Sequence, residues 1–154
     1  MAEYQANMEA ETIASELISE FHPHLDGCKI AYLFKVSAGT KRKTSGREGK
    51  KITMAKTSMV PIKTRTLFEI EGISPYIFVI EFDVNIWNDL PDTSKKALVD
   101  HELLHCGNDT DGYYIRHHGI EEFSAILQRW GTWTQDVKEF AETAVQVMQH
   151  GGTQ

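Results

Sequence analysis

The chain predicts an α+β fold: an N-terminal helix, a small mainly antiparallel sheet, a buried helix just past residue 95, and two further helices at the C-terminal end. Three observations carry that expectation. Apolar residues recur at helical spacing from Ala10 to Phe21, residues 76–83 form an almost continuous apolar run, and residues 95–106 are apolar nearly all round a helix while holding two histidines and a glutamate.

At 154 residues, with 41% hydrophobic and 25% charged residues, the sequence predicts a single domain over 1–154 that buries a core without staples. No apolar run approaches the length of a membrane span, and residues 1–5 lack a basic region followed by an apolar one. Neither a membrane partner nor a secretory signal is expected, and the cytoplasm is the default compartment. The two cysteines, Cys28 and Cys106, are expected to be reduced thiols.

Ala10, Ile13, Ala14, Leu17, Ile18 and Phe21 give the first helix its apolar face, and His22-Pro23 ends it. After a turn at Asp26-Gly27, residues 29–36 are rich in aromatic and branched side chains and read as a strand. Residues 37–51 read as a basic loop or hairpin tip, and 52–60 as the returning strand, closed by Pro61. Residues 62–73 fit a short helix or a strand equally well. The run at 76–83 suits the middle of a sheet. Asp92 or Thr93 can cap the buried helix, and Gly107-Asn108 should stop it. Residues 108–112 resemble a calcium loop only superficially, since the first and closing ligand positions would be Gly107 and His118; they read as the turn leaving the helix. Helices follow over 120–130 and after Thr134, the latter with Val137, Phe140, Ala141, Ala144, Val145 and Met148 on one face and a disordered tail beyond it.

The net charge of −6 is segregated. Between Ala38 and Lys56 lie Lys41, Arg42, Lys43, Arg47, Lys50, Lys51 and Lys56 against the single acid Glu48, so this stretch carries +6 and the remainder −12. A cationic tip on an acidic body is consistent with an electrostatic docking surface, nucleic acid being one partner it could meet. No aromatic residues interleave with the charges to stack on bases, which favours a solvated tip.

The chemistry concentrates in His101-Glu102-Leu103-Leu104-His105. Two histidines four apart lie one above the other on a helix, so their imidazoles can close on one cation with Glu102 beside it. Leu98, His101, Glu102 and His105 share one face, and only a stripe through Lys96 and Asp100 looks suited to water. Two imidazoles and a carboxylate buried without partners would cost several kcal/mol, a cost that a metal ion removes. Cys106, though adjacent, points away from the His101/His105 edge and is not expected to be a ligand.

A catalytic zinc usually has three protein ligands and one open position. His118 is the favoured third ligand, with His117, Glu121 and Glu122 as alternatives or as partners that orient an imidazole. The pattern His101-Glu102-x-x-His105, then His118-Gly119 and Phe123, resembles the SprT-like zincins. It is more closely similar to a phage metallopeptidase family of bacteriophages and prophages. That resemblance runs through Phe78-Val79-Ile80, Trp87, the segment from Ala97 to Cys106, His118, Glu121-Glu122-Phe123 and Arg129-Trp130-Gly131, with Gly119 standing where the family often has an acidic residue. It implies a zincin-like fold, one Zn2+ per chain, a peptide or protein substrate, and, for a phage-encoded chain, the bacterial host cytoplasm.

The reading is therefore a zinc-dependent peptidase in which Glu102 is the general base. Tyr113, Tyr114, Arg116 and His117 are candidates for the oxyanion donor. The competing reading is a non-catalytic zinc module that binds a host factor or DNA through Lys41, Arg42, Lys43, Arg47, Lys50 and Lys51. Glu102 argues for the enzyme, because a structural site has no need of a carboxylate beside an open coordination position.

Overall fold

Phe78, Ile80 and Phe82 alternate with half-buried residues along β4 (Phe78–Asp83), and all three are fully enclosed. The computed structural model, which describes residues 2–37, 53–117, 126 and 128–131, builds the sheet around this strand. β4 lies between β2 (Ile30–Ser37), to which it is parallel, and β3 (Ala55–Met59), to which it is antiparallel; β1 (Ala2–Ala6) pairs antiparallel with the far side of β2. The sheet order is thus β1-β2-β4-β3, mixed but mainly antiparallel.

Two departures from the sequence reading stand out here. A strand precedes the N-terminal helix: residues 2–6 alternate too little apolar character to announce one, yet β2 supplies a ladder that Asn7 extends by donating its N–H to Tyr32 O at 2.8 Å. The basic stretch also does not cap a simple hairpin. β3 returns antiparallel to β2 but one strand further out, because the more apolar β4 takes the central place. Lys41, Arg42, Lys43, Arg47, Lys50 and Lys51 lie outside the described residues, as does the helix expected after Thr134.

The helices α1 (Met8–Phe21) and α4 (Asp92–Leu104) cover the Phe78/Ile80/Phe82 face. Asn7 caps α1 by accepting from the Ala10 N–H at 2.9 Å, while Glu9 and Glu11 complement the helix dipole. Ala10 and Ala14, both fully buried, let α1 lie close to its neighbours, with Leu17 below them. The ambiguous stretch after Pro61 is helical, α2 (Ile62–Ile70), and none of its residues is buried. It stops at Gly72, whose φ of 78° allows the Ile73 N–H to reach back to Phe68 O. A further short helix, α3 (Val84–Asp89), is capped by the Asp83 carboxylate on the Ile86 N–H and sets Trp87 edge-on against Phe34 and Phe82.

α4 starts at Asp92 with Pro91 in the capping position, so neither Asp92 nor Thr93 is the cap. It ends at Leu104, three residues before the glycine expected to stop it, and the chain passes straight into the hairpin of β5 (Cys106–Asp109) and β6 (Gly112–Ile115). The residues expected to turn out of the helix instead turn β5 into β6. Among the described residues no helix is long and apolar enough to cross a membrane.

Phe82→Ala removes an enclosed ring and its edge contact with Trp87, and is expected to cost about 3–5 kcal/mol in urea unfolding. Glu9 accepts from Trp87 Nε1 at 3.0 Å and from Lys95 Nζ at 3.2 Å, but its side chain is half exposed. Glu9→Gln should therefore change stability by less than about 1 kcal/mol in the same assay.

Candidate metal centre

α4 delivers His101, Glu102 and His105 together. One ligand-type atom from each lies within 4.8 Å of the others, and the two imidazole centroids are 5.3 Å apart. His105 is the residue after the last helical one, but its φ of −75° and ψ of −15° keep it in helical conformation, so the four-residue spacing still stacks the rings. Glu102 is buried and the histidines are half-buried.

The hairpin fixes His105. Its Nδ1 lies 2.7 Å from Arg116 O, and the Arg116 N–H returns a 2.7 Å bond to His105 O. A carbonyl can only accept, so Nδ1 carries a proton, which in a neutral imidazole leaves Nε2 as the nitrogen that can bind a cation. The hairpin is itself anchored to the 3-10 helix Pro23–Leu25: the His24 imidazole donates to Cys106 O at 3.0 Å, and Asn108 Nδ2 donates to His24 O at 3.1 Å. Tyr114 lies over Gly107, where any Cβ would collide with its ring.

Burial raises the Glu102 carboxyl above its ordinary pKa, against a hydrogen bond from Thr57 and the nearby His105. The Thr57 hydroxyl donates to Glu102 Oε1 at 2.7 Å. A carboxyl poised in this way can take up a proton, as a general base must.

Asp100 corrects the sequence reading. Its place on a supposed water-facing stripe is wrong, because the residue is fully buried. Oδ1 is bonded to His22 Nε2 at 2.6 Å, and Oδ2 accepts from the Arg129 guanidinium and from Trp130 Nε1 at 2.9 Å. Burial pushes this carboxyl up, but the hydrogen bonds from His22, Trp130 and Arg129 outweigh it, and its pKa is lowered. A helical wheel assigns Asp100 to solvent because it cannot see donors arriving from residues 22, 129 and 130. The Arg129-Trp130 pair in the family-like pattern was the available signal.

Of the other sequence candidates, His117 is exposed and outside the cluster, and His118, Glu121 and Glu122 lie outside the described residues. Cys28 and Cys106 are both free thiols, and Cys106 is no part of the cluster. Tyr113 packs edge-on against Phe78, and its hydroxyl is raised in pKa by burial and by Cys28 beside it. Arg116 reaches the site through its backbone. Thr57 has no signal in the sequence, where a threonine in a strand is ordinary.

A mixed α+β fold that turns two imidazoles and a carboxylate toward one point defines a candidate metal-binding domain. The chain belongs to the family described as "Putative phage metallopeptidase", whose model matches residues 2–145. Membership implies a metal ion and a peptide or protein substrate. No curated protein and no solved structure matches the chain.

Asp100→Ala strands three donors and is expected to cost about 3–5 kcal/mol of stability in urea unfolding with chelator present. A cost below about 1 kcal/mol would show that water replaces the carboxylate.

Proposed function

We propose that this chain is a zinc-dependent peptidase of zincin-like design, with His101, His105 and His118 as metal ligands and Glu102 as general base. The observation that supports it most is the fixed His105 tautomer beside a buried carboxyl of raised pKa, on one helix face with His101. Two imidazoles on one helix face suit zinc, and a third histidine would leave one position open. A zinc ion bound there supplies Lewis-acid polarisation of a water molecule and of the scissile carbonyl.

The chain's own residues do the rest. Glu102 takes a proton from the attacking water as its oxygen bonds to the carbonyl carbon, then passes that proton to the amide nitrogen as the C–N bond breaks. Both products are released with Glu102 ionised again. β3 is the terminal strand of the sheet order and touches α4 through Thr57. An extended substrate can add along it by backbone hydrogen bonds, with no sequence-specific pocket required.

Elemental analysis of the purified chain should find about one zinc, lost in His101→Ala, His105→Ala and His118→Ala but kept in Glu102→Gln. Glu102→Gln should slow hydrolysis of fluorescein-labelled casein by about 10²- to 10⁴-fold, and chelation should stop it in the wild type. Failure to take up zinc even on reconstitution, or full turnover by Glu102→Gln, would sink this reading.

A further inference from the structure

Register pairs Ala55 with Phe82, Thr57 with Ile80, and Met59 with Phe78, the three enclosed residues of β4. Paired residues on neighbouring strands point to the same side of a sheet, so Ala55, Thr57 and Met59 form the core-facing column of β3. Thr57 is the only hydroxyl in that column. Valine has the same shape and favours strands as well, so neither packing nor strand propensity asks for a hydroxyl at this half-buried position. The hydroxyl therefore calls for a chemical reason, and its partner provides one: Oγ1 stands 2.7 Å from Glu102 Oε1 and 3.3 Å from Glu102 O.

A hydroxyl has one proton and two lone pairs. While Glu102 is ionised, the Thr57 O–H donates to Oε1. Once Glu102 has taken a proton, Oε1–H can donate to Thr57 Oγ1, and the threonine proton can turn to Glu102 O, the longer of the two contacts. No proton is transferred to threonine; its O–H only rotates. We infer that Thr57 is a positioning residue whose hydroxyl, in reach of both Oε1 and the main-chain carbonyl of Glu102, holds the Glu102 carboxyl in one orientation. The inference rests on the peptidase reading, and it identifies β3 as the element that aims the base as well as borders the site.

Thr57→Val keeps shape and strand propensity and removes the hydroxyl; Thr57→Ser restores it. With the zinc-loaded full chain and fluorescein-labelled casein, Thr57→Val should lower kcat by about 10- to 100-fold. KM should stay within about twofold and zinc content should not change, because the substitution leaves unaltered both the β3 backbone along which substrate adds and the histidines. Thr57→Ser should recover most of the rate. A second readout needs neither metal nor turnover. In chelated protein, the unfolding constants of Thr57→Val, Glu102→Ala and the double variant should depart from simple multiplication by at least about threefold. Wild-type kcat in Thr57→Val, or strictly multiplicative unfolding constants, would overturn the inference while leaving the peptidase reading intact. A wild-type chain that binds zinc but never cleaves casein would count against the peptidase reading instead, and the unfolding cycle would still decide whether Thr57 holds Glu102.

Discussion

A carboxylate without access to water organises this protein. Asp100 is fully buried, and the groups that satisfy it come from segments far apart in the chain: His22 just beyond α1, and Arg129 with Trp130. Leaving such a charge unpaired would cost several kcal/mol, so the end of α1 and the 129–130 segment have little freedom once α4 is in place. The Arg129 guanidinium also lies 3.9 Å from the Phe21 ring centroid, which closes the same junction from the apolar side. His101 is the next residue on α4. Holding Asp100 therefore fixes the stretch of helix from which the first imidazole projects.

Two carboxylates on that helix, two residues apart, meet opposite fates. Both are buried, and burial by itself raises both. Asp100 receives three strong donors, one of them a guanidinium, and ends below its ordinary value. Glu102 receives one hydroxyl and ends above. The difference in donor number separates a carboxylate committed to holding segments together from one able to change its protonation state. The helix's two buried carboxylates are each met by donors from other elements, Asp100 by His22, Arg129 and Trp130 and Glu102 by Thr57.

Sequence reasoning reaches the parts whose signal is local. The periodicity of Ala10, Ala14 and Leu17 shows α1, the run at 76–83 shows the central strand, and the spacing of His101 and His105 shows a shared helix face. What it misses is decided by contacts made at a distance. β1 is a strand because β2 offers a partner, and β3 lies beyond β4 because the more apolar strand takes the protected position. Asp100 looks solvated until His22, Arg129 and Trp130 arrive, and Thr57 looks ordinary until register sets it opposite Ile80 and beneath Glu102. In each case the residue's neighbours in space, not in sequence, decide what it does.

The end of α4 shows how closely helix and hairpin depend on each other. A longer helix would keep the amide and carbonyl of residues 105–109 in its own ladder. Because the helix stops at Leu104, the His105 carbonyl is available to the Arg116 N–H, and the Arg116 carbonyl is available to Nδ1. Those two bonds need residues 106–115 to double back within a few residues. Gly112, at φ 115°, permits the turn, the Asp109 carboxylate braces it through the Asp111 N–H, and the bare Gly107 leaves room for the Tyr114 ring across the strands. The tautomer of one imidazole is thus set by a hairpin whose only obvious sequence marks are two glycines and a pair of aspartates. The helix places the nitrogen, and the hairpin decides which nitrogen it is.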